Sequence, residues 1–132
     1  VERPSNPVAL LQGASFLQQY VHSIDVLKVD TQGAEYGVIK GLWPLLQASP
    51  NLRGVIEFWP YGLRQAGASA TQLLDLLASL QLKVWIIDHI EHVLAATSFE
   101  ELQSWTNTVE QDLNDQGFMN ILVSHRDASA WG

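Results

Sequence analysis

The sequence predicts an α/β fold: a mostly parallel sheet with helices on both faces. Strand-like and helix-like segments alternate along the 132 residues. The strand-like runs are nearly continuous in apolar residues, which is typical of strands buried on both faces. The length suits one domain with a sizeable core. We therefore expect a single domain over residues 1–132, with a lead-in and short helix at 1–23 and a tail at 126–132.

The first half of the chain contains two strands and the helices before and between them. Apolar residues recur at helical spacing around Leu17 and Val38, and Gly13 weakens the first of these helices. Proline suits a first helical turn, so Pro44 is expected to open a separate short helical piece. The expected elements are a lead-in Val1–Pro7, a helix Leu10–Val21, a strand Ile24–Val29, a helix Ala34–Trp43, a helical piece Leu45–Ala48 and a strand Arg53–Trp59.

The second half begins with a glycine-containing loop and continues with alternating elements. Ser98 followed three residues later by Glu101 is a capping-box pattern, which marks the start of a helix, and Gly117 marks its end. The expected elements are a loop Tyr61–Ala68, a helix from Ser69 or Thr71 to Leu80, a strand Leu82–Ile87, a short strand or turn Glu91–Ala96, a helix from Ser98 to about Asp115 and a strand Phe118–Ser124.

Charge and composition exclude several classes of function. The net charge is −7, and no base lies between Lys83 and Arg126. A nucleic-acid partner would need clustered Lys or Arg, so none is expected. The chain has no cysteine for a disulfide or thiolate site. Its apolar runs are far shorter than the roughly 18 residues of a membrane span. With no signal peptide visible at the start, we expect a cytoplasmic protein that does not bind membranes.

Asp30 ends the first strand and begins a glycine turn, where open α/β sheets place their ligands. Lys28 and Asp30 share one face of that strand. A lysine within a strand that is buried needs a partner or a polar cavity. Two interpretations stay open: a Lys–carboxylate pair that closes the strand end, or an acid that faces a ligand at the rim of the sheet.

Glu57 lies near the end of the second strand, between Ile56 and Phe58. If the two strands are neighbours, Glu57 and Asp30 meet at the same rim, and one of the two carboxyl groups has a raised pKa. That arrangement suits a general base, and it also suits a rim that binds a cation or a hydroxyl. Trp59 and Tyr61 follow, either as the wall of a pocket or as cover for the edge of the sheet.

Two polar residues follow Asp30 in the turn. Glu35 lies in the first turn of the next helix, where an acid is stabilised by the helix dipole, so structural support of the loop is its expected role. Gln32 both donates and accepts hydrogen bonds, so it suits either a ligand contact or a bond within the loop.

The segment Asp88–His92 contains two histidines and two carboxylates, which raises the question of a metal site. In an extended segment His89 and Glu91 face one way while Asp88 and His92 face the other. Because a specific site needs three or four converging ligands, we predict no metal here. A metal-dependent enzyme built on this segment is therefore the weakest interpretation of the function.

The residues that run from Lys28 through Asp30 and Gly33 to Gly41 resemble a family signature. The segment Lys28-Val29-Asp30-Thr31-Gln32-Gly33-Ala34-Glu35, followed by Val38-Ile39-Lys40-Gly41, is similar to the Lys-Ile-Asp-Val-Glu-Gly-x-Glu and Val-Leu-x-Gly pattern of FkbM-type S-adenosylmethionine-dependent methyltransferases. The resemblance extends over most of Ile24–Val123. Gln32 departs from the commoner glutamate, which removes a charge and puts any role as a base there in doubt.

The resemblance implies strands four to seven of a seven-stranded, Rossmann-like methyltransferase fold. It implies that Asp30 and Glu57 face the methyl-transfer site of the complete protein. We assign catalytic roles to Asp30 and Glu57, cofactor contacts to Asp30 and Gln32, and substrate or loop support to Lys28, Glu35, Trp59 and Tyr61. The implied reaction is O-methylation of a sugar or small-metabolite hydroxyl.

Nothing in Val1–Ser23 resembles the glycine-rich cofactor loop of that family. We therefore expect this fragment alone to be inactive, with S-adenosylmethionine bound only in the complete protein. The alternative reading is a non-catalytic module that binds a partner or a carbohydrate. An unpaired edge on the strand Ile24–Val29 predicts self-association, or cover by the helix Leu10–Val21.

Overall fold

The computed structural model describes residues Leu11–Asp127, and the expected lead-in and most of the expected tail lie outside this range. Ten elements follow one another along the chain. They are α1 (Gly13–Leu17), β1 (Val26–Val29), α2 (Glu35–Gln47), β2 (Arg53–Phe58), α3 (Pro60–Gln65), α4 (Ala70–Ser79), β3 (Lys83–Asp88), β4 (Val93–Thr97), α5 (Phe99–Val109) and β5 (Met119–Ser124).

The five strands form one mixed sheet in the order β1-β2-β5-β3-β4. Only the β1–β2 pair is parallel, whereas β5 runs antiparallel to both β2 and β3, and β4 runs antiparallel to β3. The expected mostly parallel sheet is therefore wrong. Apolar runs reveal strands but not their order, and here the last strand inserts between β2 and β3 in the opposite direction.

All five described helices contribute to a single core on one face of the sheet. The core residues of the sheet share that face by register, since Val29 pairs with Ile56, Ile56 with Ile121, and Val84 with Val123. The helices contact one another in series, α1 with α2, α2 with α4, and α4 with α5. Within Leu11–Asp127 the expectation of helices on both faces is therefore wrong.

Several element boundaries differ from the sequence expectation for local reasons. Helix α2 continues through Pro44, because the buried Leu45 and Leu46 keep its last turn packed on the core. Helix α3 occupies part of the expected loop, with Pro60 at its first position. Helix α5 ends at Val109, six residues before the expected end, and a series of turns follows.

The predicted helix starts at Ser69 and Ser98 are confirmed. The Ser69 hydroxyl accepts a hydrogen bond from the Gln72 amide at 3.1 Å, and the Ser98 hydroxyl accepts one from the Glu101 amide at 3.1 Å. Each cap satisfies one of the amides that the first turn of a helix leaves without a partner. None of the helices in the described part of the chain has the length and apolar character needed to cross a bilayer.

Candidate functional site

The site forms at the carboxyl ends of the two parallel strands. Val29 of β1 pairs with Ile56 of β2, so the next residues outward, Asp30 and Glu57, lie side by side at the rim. Their proximity follows from the parallel pairing of these two consecutive strands, which is the condition under which the sequence predicts that they meet. Because side chains alternate across a strand, both carboxyl groups lie on the face opposite the helix-covered core.

The Glu57 carboxyl group has a perturbed protonation equilibrium. Its partial burial raises its pKa above the ordinary value of 4.5, and the negative charge of Asp30 and a hydrogen bond to Asp30 raise the pKa further. The charge of Glu35 adds a smaller contribution in the same direction. A carboxyl group of this kind holds its proton more tightly than an ordinary glutamate, which is the property that a general base needs.

The turn after β1 holds Asp30 in place. Gln32 and Gly33 both have positive φ angles, 55° and 110°, which turn the backbone sharply before α2. The Gln32 side-chain amide donates to the Asp30 carboxylate at 3.1 Å. The Gly33 amide donates to the Glu35 carboxylate at 2.8 Å. Glu35 therefore supports the loop, and Gln32 orients Asp30.

Glu35 is unusual because it is an acid with only 1% of its surface exposed. One of its carboxylate oxygens accepts the Gly33 amide, whereas the other, Oε1, has no hydrogen-bond partner among the described residues. A buried carboxylate oxygen without a partner costs stability. Its retention next to the Asp30–Glu57 pair adds negative charge to this corner.

A cavity of about 270 Å³ opens beside the carboxylate pair, and we name it the carboxylate cavity. It is lined by Lys28, Val29, Asp30, Val55, Glu57, His89 and Asn120. Lys28 therefore lies at a polar cavity, which was one of the two environments expected for it. In the residues that the structure describes, no salt bridge joins Lys28 to a carboxylate, so the Lys–carboxylate pair, one of the two interpretations left open for the strand end, is not formed.

Two polar lining residues, His89 and Asn120, are not among the residues that the sequence assigns to the site. Asn120 pairs with Glu57 across the β2–β5 ladder, which places both side chains on the same face. Asn120 Nδ2 lies 2.9 Å from His89 Nε2. These positions depend on the insertion of β5 next to β2, for which the sequence pattern gives no signal.

A second cavity, of about 300 Å³, adjoins the first at Glu57, and we name it the aromatic cavity. It is lined by Gln32, Glu57, Trp59, Gln116 and Phe118. Trp59 thus forms part of a cavity wall, one of the two roles expected for it. Tyr61 packs against the Trp59 ring, with the ring centroids 5.8 Å apart, and lines neither of the two cavities.

The segment Asp88–His92 is a hairpin turn between β3 and β4. One Asp88 carboxylate oxygen accepts the amides of Ile90 and Glu91, both at 2.9 Å, and His92 has a positive φ of 55°. Asp88 thus stabilises the turn. In the range from Leu11 to Asp127, no three His, Asp or Glu side chains are grouped as metal ligands.

Most of this site lies in the part of the chain that matches the model of a known protein family. Residues 5–84 match the family model described as the methyltransferase FkbM domain, and this range is more than half of the chain. It includes both strands of the parallel pair and the two rim carboxylates. No curated protein and no solved structure matched the chain.

Proposed function

This chain belongs to the FkbM methyltransferase domain family, and from that premise we propose that it carries the acceptor side of an S-adenosylmethionine-dependent O-methyltransferase site. The acceptor in this proposal is a hydroxyl of a sugar or a small metabolite. The carboxylate pair Asp30–Glu57, at the end of the only parallel strand pair among the described residues, is the observation that carries it.

The carboxylate pair suits the activation of a hydroxyl. An alcohol is a weak nucleophile, and transfer of its proton to a positioned base speeds its reaction by about 10²–10⁴-fold. The raised pKa of Glu57 moves its basicity toward neutral pH, and the Asp30 carboxyl group lies beside it as a second acceptor of hydrogen bonds. In this proposal Glu57 takes the proton of the hydroxyl that is methylated, and Asp30, held by Gln32, orients the acceptor by accepting a hydrogen bond from a neighbouring hydroxyl.

The chemistry of the site also fits the cofactor. S-adenosylmethionine, when bound, supplies a methyl group on a positively charged sulfur. The site presents Asp30 and Glu57, with the negatively charged Glu35 nearby, to such a cation. Opposite charges attract strongly in a partly buried site. We assign the cofactor contacts of this chain to Asp30 and Gln32.

We infer further that the chain needs upstream sequence for the complete reaction. No segment of the sequence resembles a glycine-rich cofactor loop, and methyl transfer depends on the positioning of both reactants. A chain that contributes only acceptor-side residues would therefore bind the cofactor weakly. We expect the 132-residue chain alone to be inactive.

The test is a calorimetric titration with S-adenosylhomocysteine, run on this chain and on the polypeptide extended upstream in its natural reading frame. Asn107→Ala serves as a control, because Asn107 lies on the exposed face of α5 and bonds only to Gln103 among side chains in the described range. Binding by the extended form, weakened in Asp30→Ala and retained in Asn107→Ala, would support the proposal. No binding by either form would overturn it and favour a non-catalytic binding module.

A further inference from the structure

Two aromatic side chains, Trp59 and Phe118, line the aromatic cavity. Phe118 is 60% exposed although it is a large apolar side chain, and it lies beside Trp59 in the wall of the cavity. The register explains their proximity: Phe58 pairs with Met119 at the end of the β2–β5 ladder, and the next residues outward are Trp59 and Phe118. Exposed apolar surface within a cavity marks a place where a ligand packs.

The Trp59 ring is held rigidly. It lies directly on the backbone of Gly62 in α3, where a β-carbon would collide with the ring. Tyr61 packs beside the ring at a centroid distance of 5.8 Å and an interplanar angle of 35°. A ring held on two sides forms a fixed flat surface, so a ligand that stacks on it finds the surface already in place.

Side-chain amide groups line the aromatic cavity together with the two aromatic rings. Gln32 and Gln116 line the same cavity, and Glu57 joins it to the carboxylate cavity. Gln32 donates one hydrogen bond to Asp30, and Gln116 makes no side-chain hydrogen bond among the described residues. Each amide offers both donors and an acceptor, which is what a hydroxyl group requires of a partner.

We propose that the aromatic cavity is the subsite for a pyranose ring of the acceptor, and this proposal rests on the proposed methyltransferase function. The C–H face of the ring stacks on Trp59 and Phe118, and its hydroxyls bond to Gln32 and Gln116. The hydroxyl next to Glu57 is the one activated for methylation. A volume of about 300 Å³ lies at the small end of ligand pockets, which suits one sugar ring.

Other ligands of similar size fit the cavity less well. An aliphatic alcohol would cover the aromatic rings but offer only one hydroxyl to the amides of Gln32 and Gln116. A flat aromatic ligand would stack on Trp59 but present few hydroxyls to those amides. Polar groups left without partners weaken binding strongly. A pyranoside satisfies the rings and the amides together.

The test measures binding by ligand-observed NMR on the polypeptide extended upstream in its natural reading frame, in the presence of S-adenosylhomocysteine. The probes are methyl α-D-glucopyranoside, methyl α-D-mannopyranoside and methyl β-D-galactopyranoside, with cyclohexanol as the alcohol that lacks a sugar's hydroxyls. The variants are Phe118→Ala and Gln116→Ala. Phe16→Ala is the matched control, because Phe16 is an exposed phenylalanine on α1 that lines neither cavity.

We expect at least one pyranoside to bind more tightly than cyclohexanol. Phe118→Ala should weaken that binding about tenfold through the lost stacking, whereas Phe16→Ala should leave it unchanged. Absence of pyranoside binding while S-adenosylhomocysteine binds would overturn the subsite, and so would unchanged affinity in both cavity variants. Pyranoside binding that depends on Phe118, without any S-adenosylhomocysteine binding, would support the subsite and overturn the proposed methyl transfer.

Discussion

Gly33 packs against the carbonyl oxygen of Gly62, so closely that a β-carbon at Gly33 would collide with that oxygen. Gly62 in turn lies beneath the Trp59 ring. Two glycines therefore join the turn that carries Asp30 to the wall of the aromatic cavity. This contact between the loop after β1 and the first turn of α3 holds the carboxylate pair and the Trp59 ring in one fixed arrangement.

Gly33→Ala should destabilise the protein by about 3 kcal/mol, because the new methyl group meets the Gly62 carbonyl and the residue must keep a positive φ. Gly67→Ala is the matched control. Gly67 also has a positive φ, 86°, but no atom lies within 4 Å of its β-carbon position. The Gly67→Ala variant should lose only about 1–2 kcal/mol of its free energy of unfolding. Urea unfolding of both variants measures the difference, and equal losses would contradict the packing role of Gly33.

Asp30→Asn should lower the pKa of Glu57 more than Glu35→Gln does. Asp30 raises that pKa through both its charge and a hydrogen bond, whereas Glu35 contributes only a smaller charge effect. Neither variant should return the pKa to its ordinary value, since burial of Glu57 is the largest cause. Carbon-13 NMR titration measures the pKa of the Glu57 carboxyl group in each variant. A larger change of that pKa in Glu35→Gln than in Asp30→Asn would refute the prediction.

Glu57→Gln should be more stable than the wild type near neutral pH. The folded-state pKa of Glu57 lies above its ordinary value of 4.5, so ionisation of this group opposes folding. The stability contributed by the protonated carboxyl is fully present below pH 4.5 and is lost as the pH rises through the folded-state pKa. Urea unfolding at about pH 7 should give a higher free energy of unfolding for the variant than for the wild type. The two free energies should converge at about pH 4. A less stable variant at neutral pH would show that the raised pKa is absent.

Val26→Lys should reduce self-association of the chain. Strand β1 is at the end of the sheet order among the described residues, and Val26 is 75% exposed there. An edge strand with unpaired backbone groups invites pairing with another chain, and a lysine on the edge opposes it. Light scattering should show dimers or larger species for the wild type and monomers for the variant. A wild type that stays monomeric at all concentrations would contradict edge pairing.

Local features of the sequence were sufficient to predict part of this structure. The Ser98 cap and the turn at Gly33 are encoded by neighbouring residues, so the sequence alone predicts them. The meeting of Asp30 and Glu57 follows from the pairing of consecutive parallel strands, which the alternation of strands and helices suggests. These inferences needed only short-range patterns and one common topological rule.

The remaining features depend on long-range contacts. Asn120 and Phe118 reach the site because β5 inserts antiparallel beside β2, and an apolar run does not encode its neighbour or its direction. The sequence predicts a loop where helix α3 forms, because a glycine such as Gly62 is typical of loops. In the folded protein, Gly62 is required by the contacts with Gly33 and Trp59.

The carboxylate pair is tested most directly by the rate of methyl transfer from labelled S-adenosylmethionine to a pyranoside bound by the polypeptide extended upstream in its natural reading frame. We expect Glu57→Gln to lower the rate by about 10²–10⁴-fold, the usual contribution of a general base. Affinity for S-adenosylhomocysteine should stay unchanged in this variant, and Asn107→Ala should transfer methyl groups at the wild-type rate. A Glu57→Gln enzyme with the wild-type rate would contradict the assignment of Glu57 as the base.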